Sequence, residues 1–172
     1  MKTFPNDKVE YEDVFNCVYL NAVMDEVQRM RFTVVRQFRT AAQDYDLHAP
    51  GMNCQNRISL KAGQVISVST YSVHHDPSLF PEPFQFRPER FLNGEVAEGT
   101  YMPFSAGPRL CIAYRFAKII IRVVMIGILK KFQVSTTSST HIPLRYKLMN
   151  FSMDFEELRL KFETREQKVS KL

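Results

Sequence analysis

Phe104-Ser105-Ala106-Gly107-Pro108-Arg109-Leu110-Cys111-Ile112-Ala113 sets one cysteine at the mouth of a long apolar run, Ile112 to Leu129. A turn containing Gly107 and Pro108 precedes it, and Arg109 stands two residues ahead of the sulfur. Glycine reaches backbone angles closed to other residues and lets a flat ligand approach closely. The first N–H groups of a following helix point outward, so a negative sulfur is favoured at Cys111. Arg109 places a guanidinium where it can pair with a ligand carboxylate. The stretch reads as a device for presenting a thiolate to a metal. For a lone cysteine the ordinary alternative is a small buried hydrophobe, and the surrounding turn favours the ligand.

Working outward, the residues fall into a pattern that resembles the haem-binding signature of cytochromes P450, F-x-x-G-x-R-x-C-x-G. Phe104, Gly107, Arg109 and Cys111 match, and Ala113 stands where glycine is usual. Upstream, Phe86-Arg87-Pro88-Glu89-Arg90-Phe91 resembles the family's F-x-P-E-R-F segment. Glu26-Val27-Gln28-Arg29 fits its E-x-x-R helix pair. Arg39-Thr40-Ala41-Ala42-Gln43-Asp44 and His74-His75-Asp76-Pro77 fit two more landmarks in the right order. The resemblance runs from Val9 to Phe162. It implies that residues 1–172 form one partial domain, the C-terminal portion of a P450 fold, with Glu163 to Leu172 as a frayed charged tail. That fold is mainly α with small β-sheets (α+β).

The resemblance also implies roles. Cys111 would be the axial thiolate ligand of haem iron, electron-rich enough to favour O–O cleavage. Arg109, Arg39 and His74 are the candidates to meet haem propionates, and Phe104 would lie near the sulfur in an apolar shell. Glu26 and Arg29 are three apart on a helix. Read alone they could be a surface pair of small worth; the resemblance joins them with Arg90 in a buried network that holds the proline-rich segment. His74-His75-Asp76 reads as a turn before Pro77 rather than a metal site, because adjacent residues rarely chelate one ion. Substrate contacts implied by the resemblance are Val34, Val35, Arg36, Gln37 and the tip from Met149 to Met153. Prolines are common in the family where Phe32 and Thr33 stand here.

Composition is that of a globular chain, 45% hydrophobic and 24% charged, with 14 Phe and no Trp. A net charge of +5 suggests an acidic partner only weakly, and no zinc-finger, RNP or basic-helix pattern points to nucleic acid. Cys17, Cys54 and Cys111 are too few for a disulfide framework, so a reducing compartment is expected. Met1 to Lys8 is polar and reads as neither signal peptide nor anchor, so membrane association is expected only through parts missing from these residues. Arg115, Lys118 and Arg122 inside the apolar run argue against a bilayer span. Periodicity predicts a helix over about Tyr11–Arg31, an extended Thr33–Phe38, a strand over Gln64–Tyr71, and a helix from Cys111 to about Lys131. Five prolines between Asp76 and Pro103 predict an irregular segment. Leu144–Asn150 and Leu158–Phe162 are expected to pair as a hairpin.

The resemblance implies a monooxygenase that oxidises an apolar small molecule with O2 and electrons from a redox partner. The alternatives are a P450-fold isomerase or dehydratase needing no reductase, and a truncated chain without catalysis, since the family's long central helix has no counterpart here. Phe116, Ile119, Ile120, Val123 and Val124 are expected to face the core, leaving Arg115, Lys118 and Arg122 as a cationic stripe for an acidic electron donor. The motif flanks are most like insect-type microsomal members, which implies the endoplasmic reticulum membrane. Leu144–Phe162 has some likeness to mitochondrial members.

Overall fold

Helix α1 (Val18–Met30) starts beyond Cys17, whose ψ of 71° interrupts the helical turn that includes Val14 and Asn16. It contains no glycine or proline, and Leu20, Ala22, Met24, Glu26, Gln28, Arg29 and Met30 are good helix formers. The Arg31 N–H closes its last turn on the Val27 carbonyl at 2.8 Å. The protein is described here by a computed structural model over residues 14, 16–31, 34–47, 58–149 and 152–165. Tyr11 to Asp13 of the expected helix and Cys54 lie outside those residues.

Ala22, Met24, Glu26, Arg29 and Met30 are the buried residues of α1, and Ala22, Glu26 and Arg29 share one face at helical spacings of four and three. Val18 and Val27 of the same helix are exposed. A buried glutamate and arginine take the inward positions, and the reason is a partner distant in sequence.

Strand β1 (Gln37–Thr40) pairs antiparallel with β4 (Val65–Val68), and β2 (Tyr45–Leu47) with β3 (Ile58–Leu60). The strand expected to reach Tyr71 stops at Val68. Ser69 instead caps helix α2 (Thr70–His74), its Oγ accepting the Ser72 N–H. A serine cap offers the backbone an alternative to the ladder.

Proline keeps the stretch from Asp76 to Pro103 free of long elements. It folds through turns, among them a 3-10 turn at Pro88–Phe91 that packs on α1. Another 3-10 turn covers Gly107–Arg109. Helix α3 (Tyr114–Lys131) follows and runs into β5 (Phe132–Thr136).

The expected hairpin is replaced by two separate pairings. β6 (Tyr146–Met149) pairs with β7 (Ser152–Phe155), only two residues away, and β8 (Leu160–Thr164) pairs with β5. Pairing segments close in sequence is entropically cheap. Phe162 meets Phe132 edge-on at 6.0 Å, which favours β5 as the partner of β8. Glu163 and Thr164 belong to β8 rather than to a frayed tail, and the Arg165 N–H donates to the Lys131 carbonyl. Helices and small two-stranded sheets make the architecture α+β.

Helix α3 turns the other way from expectation. Phe116, Ile120, Val123 and Val124 are exposed, and among its described residues only Ile126 is fully buried. Lys118 pairs with Asp25 at 2.8 Å, and the Arg122 guanidinium donates to the Asn21 Oδ1 at 2.6 Å. Asn21 and Asp25 are four apart on α1, as Lys118 and Arg122 are on α3, so two matched polar rows draw the helices together. Two of the three cations of the expected stripe, Lys118 and Arg122, are therefore bonded to α1, and Arg115 stays exposed. Lys118→Ala should lower stability by about 1 kcal/mol or less, since both partners keep some solvent. A urea midpoint shift larger than that would show a deeper role.

Candidate functional site

The cysteine loop is shaped by its own backbone. The Cys111 N–H donates to the Phe104 carbonyl at 2.9 Å and closes the loop across Gly107. The Cys111 carbonyl accepts from the Tyr114 N–H, which starts α3. Gly107 has φ +65°, and a side chain at that position would meet nothing within 4 Å. The residue needs the left-handed conformation, and the space beside it is open. Cys111 itself is exposed.

Apolar residues and a cation flank Cys111 in the chain. Ile112 is fully exposed and Leu110 is 44% exposed on either side of the cysteine. Arg109 is exposed at the end of the 3-10 turn. Arg39 reaches the same loop from β1, its Nη2 donating to Ser105 Oγ at 2.9 Å. The Phe104 ring packs towards Tyr114 at 6.3 Å. The structure thus brings Cys111, Arg109, Arg39, Phe104 and Gly107 to one loop.

His74 is not on that surface. It is fully buried, and its Nε2 accepts the Met102 N–H at 3.0 Å. It therefore has no exposed nitrogen for an anionic ligand. Burial, with the charges of Arg29 and His75, pushes its imidazole down to about 4. The sign follows directly: the folded state binds fewer protons than the unfolded one below pH 6.5. This group's stabilising contribution is complete above that value and is lost as pH falls towards about 4.

Behind the loop sits the charge cluster. Arg29 Nε and Nη2 donate to the two Glu26 oxygens at 2.7 and 2.9 Å. Arg90 Nε reaches Glu26 Oε1 at 3.2 Å, and the Arg87 N–H donates to the same oxygen. Arg29 also donates to the carbonyls of His74 and Pro83, and Arg90 to that of Pro81. Glu26, Arg29 and Arg90 have at most 1% exposure. Burial alone would raise the Glu26 carboxyl. The Arg29 and Arg87 hydrogen bonds and the two guanidinium charges outweigh it and hold the carboxyl below its ordinary value.

Gln37, expected by resemblance at the substrate, instead bridges two segments, and Tyr101 is not singled out by the sequence. Gln37 spans from Thr70 Oγ1 to the Met102 carbonyl, and the Tyr101 hydroxyl donates to Asp25 and Gln28 of α1. Their partners are 33 to 76 residues away, so no local pattern marks them.

The family model for cytochrome P450 matches residues 2–162. The chain belongs to the cytochrome P450 family. It is 37% identical over 158 residues to cytochrome P450 6a8 of Drosophila melanogaster, covering 90% of this chain and 30% of that protein. It is 34% identical over 166 residues to cytochrome P450 3A27 of Oncorhynchus mykiss, and 30% identical over 162 residues to cytochrome P450 3A5 of Homo sapiens. These cover 94% and 93% of this chain, and 30% and 31% of the two relatives. The chain thus spans about a third of the length of the curated relatives it matches.

Cytochromes P450 bind haem, and the residues at the loop fit that group. Cys111 is exposed between Leu110 and Ile112, Arg109 is exposed on the same loop, Arg39 reaches the loop through Ser105, and the glycine turn leaves open space for a flat ring. Among the described residues no helix is long and apolar enough to cross a membrane, and no cluster of three His, Cys, Asp or Glu side chains forms a separate metal site.

Proposed function

We propose that this chain is the haem-thiolate part of a P450 monooxygenase that oxidises an apolar small molecule. The observation that carries the reading is the closed loop presenting Cys111 outward across the left-handed Gly107, with Arg109 and Arg39 beside it. Cys111 would hold the haem iron through its thiolate. Thiolate-ligated haem supplies electron-rich iron that favours O–O cleavage. The protein's own contribution is positional. Gly107 lets the ring approach the backbone, Phe104 packs by the thiolate and limits water, and Arg109 and Arg39 take the propionates through their planar forks. His74 drops out of the propionate set because it is buried. The buried cluster of Glu26, Arg29 and Arg90 holds the proline-rich segment behind the loop.

The reading includes a redox partner as electron source and a place at the endoplasmic reticulum membrane, supported by the animal relatives. Of the stripe once expected to meet an acidic donor, Arg115 stays exposed while Lys118 and Arg122 turn to α1. In the intact protein, Cys111→Ser should abolish the red-shifted band of the reduced carbonyl complex while haem is retained. A Cys111→Ser protein that kept that band would overturn the assignment.

A further inference from the structure

His74 occupies a position that neither the loop motif nor the E-x-x-R pair accounts for. Its carbonyl accepts Arg29 Nη1 at 2.6 Å, so its backbone is fixed by the charge cluster. Its ring accepts the Met102 N–H, so its side chain fixes the start of the cysteine loop. Met102 is held from its other side by Gln37 Nε2, and its carbonyl also accepts the Ser105 N–H. From there the loop closes by the Cys111 N–H on the Phe104 carbonyl. One residue therefore joins α1 to the segment that aims the sulfur.

We infer that His74 is a positioning residue for Cys111: its neutral ring, accepting at Nε2, couples the buried Glu26–Arg29–Arg90 cluster to the thiolate loop, and its protonation uncouples them. The inference rests on the reading of Cys111 as the iron ligand. An imidazolium has donors only, so Nε2–H would face the Met102 N–H donor to donor. The surroundings make that state unfavourable. From α1 come Arg29, already on the His74 carbonyl, and Glu26, whose two oxygens are taken by Arg29, Arg90 and the Arg87 N–H. Asp25, also on α1, is bonded to Lys118 and to the Tyr101 hydroxyl. Arg90 comes from the 3-10 turn, and His75 adjoins on the chain. Tyr101 and Phe80 close the ring in at 5.4 and 6.1 Å.

The test uses the intact, haem-loaded protein with His74→Gln and His74→Phe. Glutamine keeps an acceptor and cannot become charged; phenylalanine keeps the ring and loses the acceptor. The wild-type fraction of thiolate-type carbonyl complex should fall as pH drops from about 6.5 towards about 4. In His74→Gln the midpoint should lie at least about one pH unit lower, with a normal spectrum near pH 7.5. Met102 amide exchange should be at least about tenfold faster in His74→Phe than in wild type or His74→Gln. Superimposed acid profiles for wild type and His74→Gln would overturn the inference. So would equal Met102 exchange in all three forms. Failure of the Cys111 reading shows separately, as a red-shifted band that survives Cys111→Ser.

Discussion

Glu26→Ala should destabilise the protein by about 3–5 kcal/mol, the usual cost of leaving buried charge without its partner. Both guanidinium groups would remain, Arg29 with no exposure and Arg90 with 1%. Their bonds to backbone carbonyls of His74, Pro83 and Pro81 satisfy hydrogens but carry no full negative charge. The Arg87 N–H would lose its acceptor as well. Denaturant unfolding of Glu26→Ala, Arg90→Ala and the double variant measures the coupling. The two single losses should be far from additive. Additivity within about 0.5 kcal/mol would mean the Glu26–Arg90 contact at 3.2 Å contributes nothing. The pH sense also follows. The Glu26 carboxyl is held below its ordinary value of 4.5 in the folded state, so its contribution is present above that value and is lost as pH falls through the lowered one.

Phe80→Ala should cost about 3–5 kcal/mol, through lost transfer and a cavity that cannot collapse. Phe80 is 1% exposed and is the largest apolar side chain among the fully buried residues. The Arg29 guanidinium carbon sits 5.2 Å from its ring centroid, and His74 meets it edge-on. The ring's negative face thus shields a buried cation, a stabilisation beyond area alone. The neighbours on either side are fixed by hydrogen bonds, so relaxation into the void is limited. Phe84→Ala is the comparison: that ring stacks near His75 but is 71% exposed. Its loss should be less than half as large. Equal urea midpoints for the two variants would contradict the placement of Phe80 in the core.

The cysteine loop was legible in sequence because its chemistry is local. Gly107, Arg109 and Cys111 lie within five residues, and a left-handed glycine before a helix start imposes one shape on them. The Glu26–Arg29 pairing was legible for a similar reason, since three residues is a helical neighbour distance. Proline density marked the irregular segment, which holds the 3-10 turn at Pro88–Phe91.

What the sequence could not decide was which side of an element faces in. On α3 the apolar positions suggested the core side, yet Asn21 and Asp25 of α1 turned Lys118 and Arg122 inward. On α1, charge displaced the valines from the buried face because Arg90, the Arg87 backbone and the carbonyls of Pro81 and Pro83 were waiting there. His74 shows the same limit most clearly. Read along the chain it was a polar residue near a turn; in the fold it is a buried acceptor for an N–H 28 residues away. Sequence alone marked the turn at Gly107 and the two long helices, which rest on short-range spacing, and its ordered motifs carried the resemblance to the family. Only tertiary structure decided the orientation of α3, the pairing of β8 with β5 and the burial of His74. Burial and hydrogen-bond satisfaction are properties of groups that meet in space, and a local pattern carries no record of its distant partner.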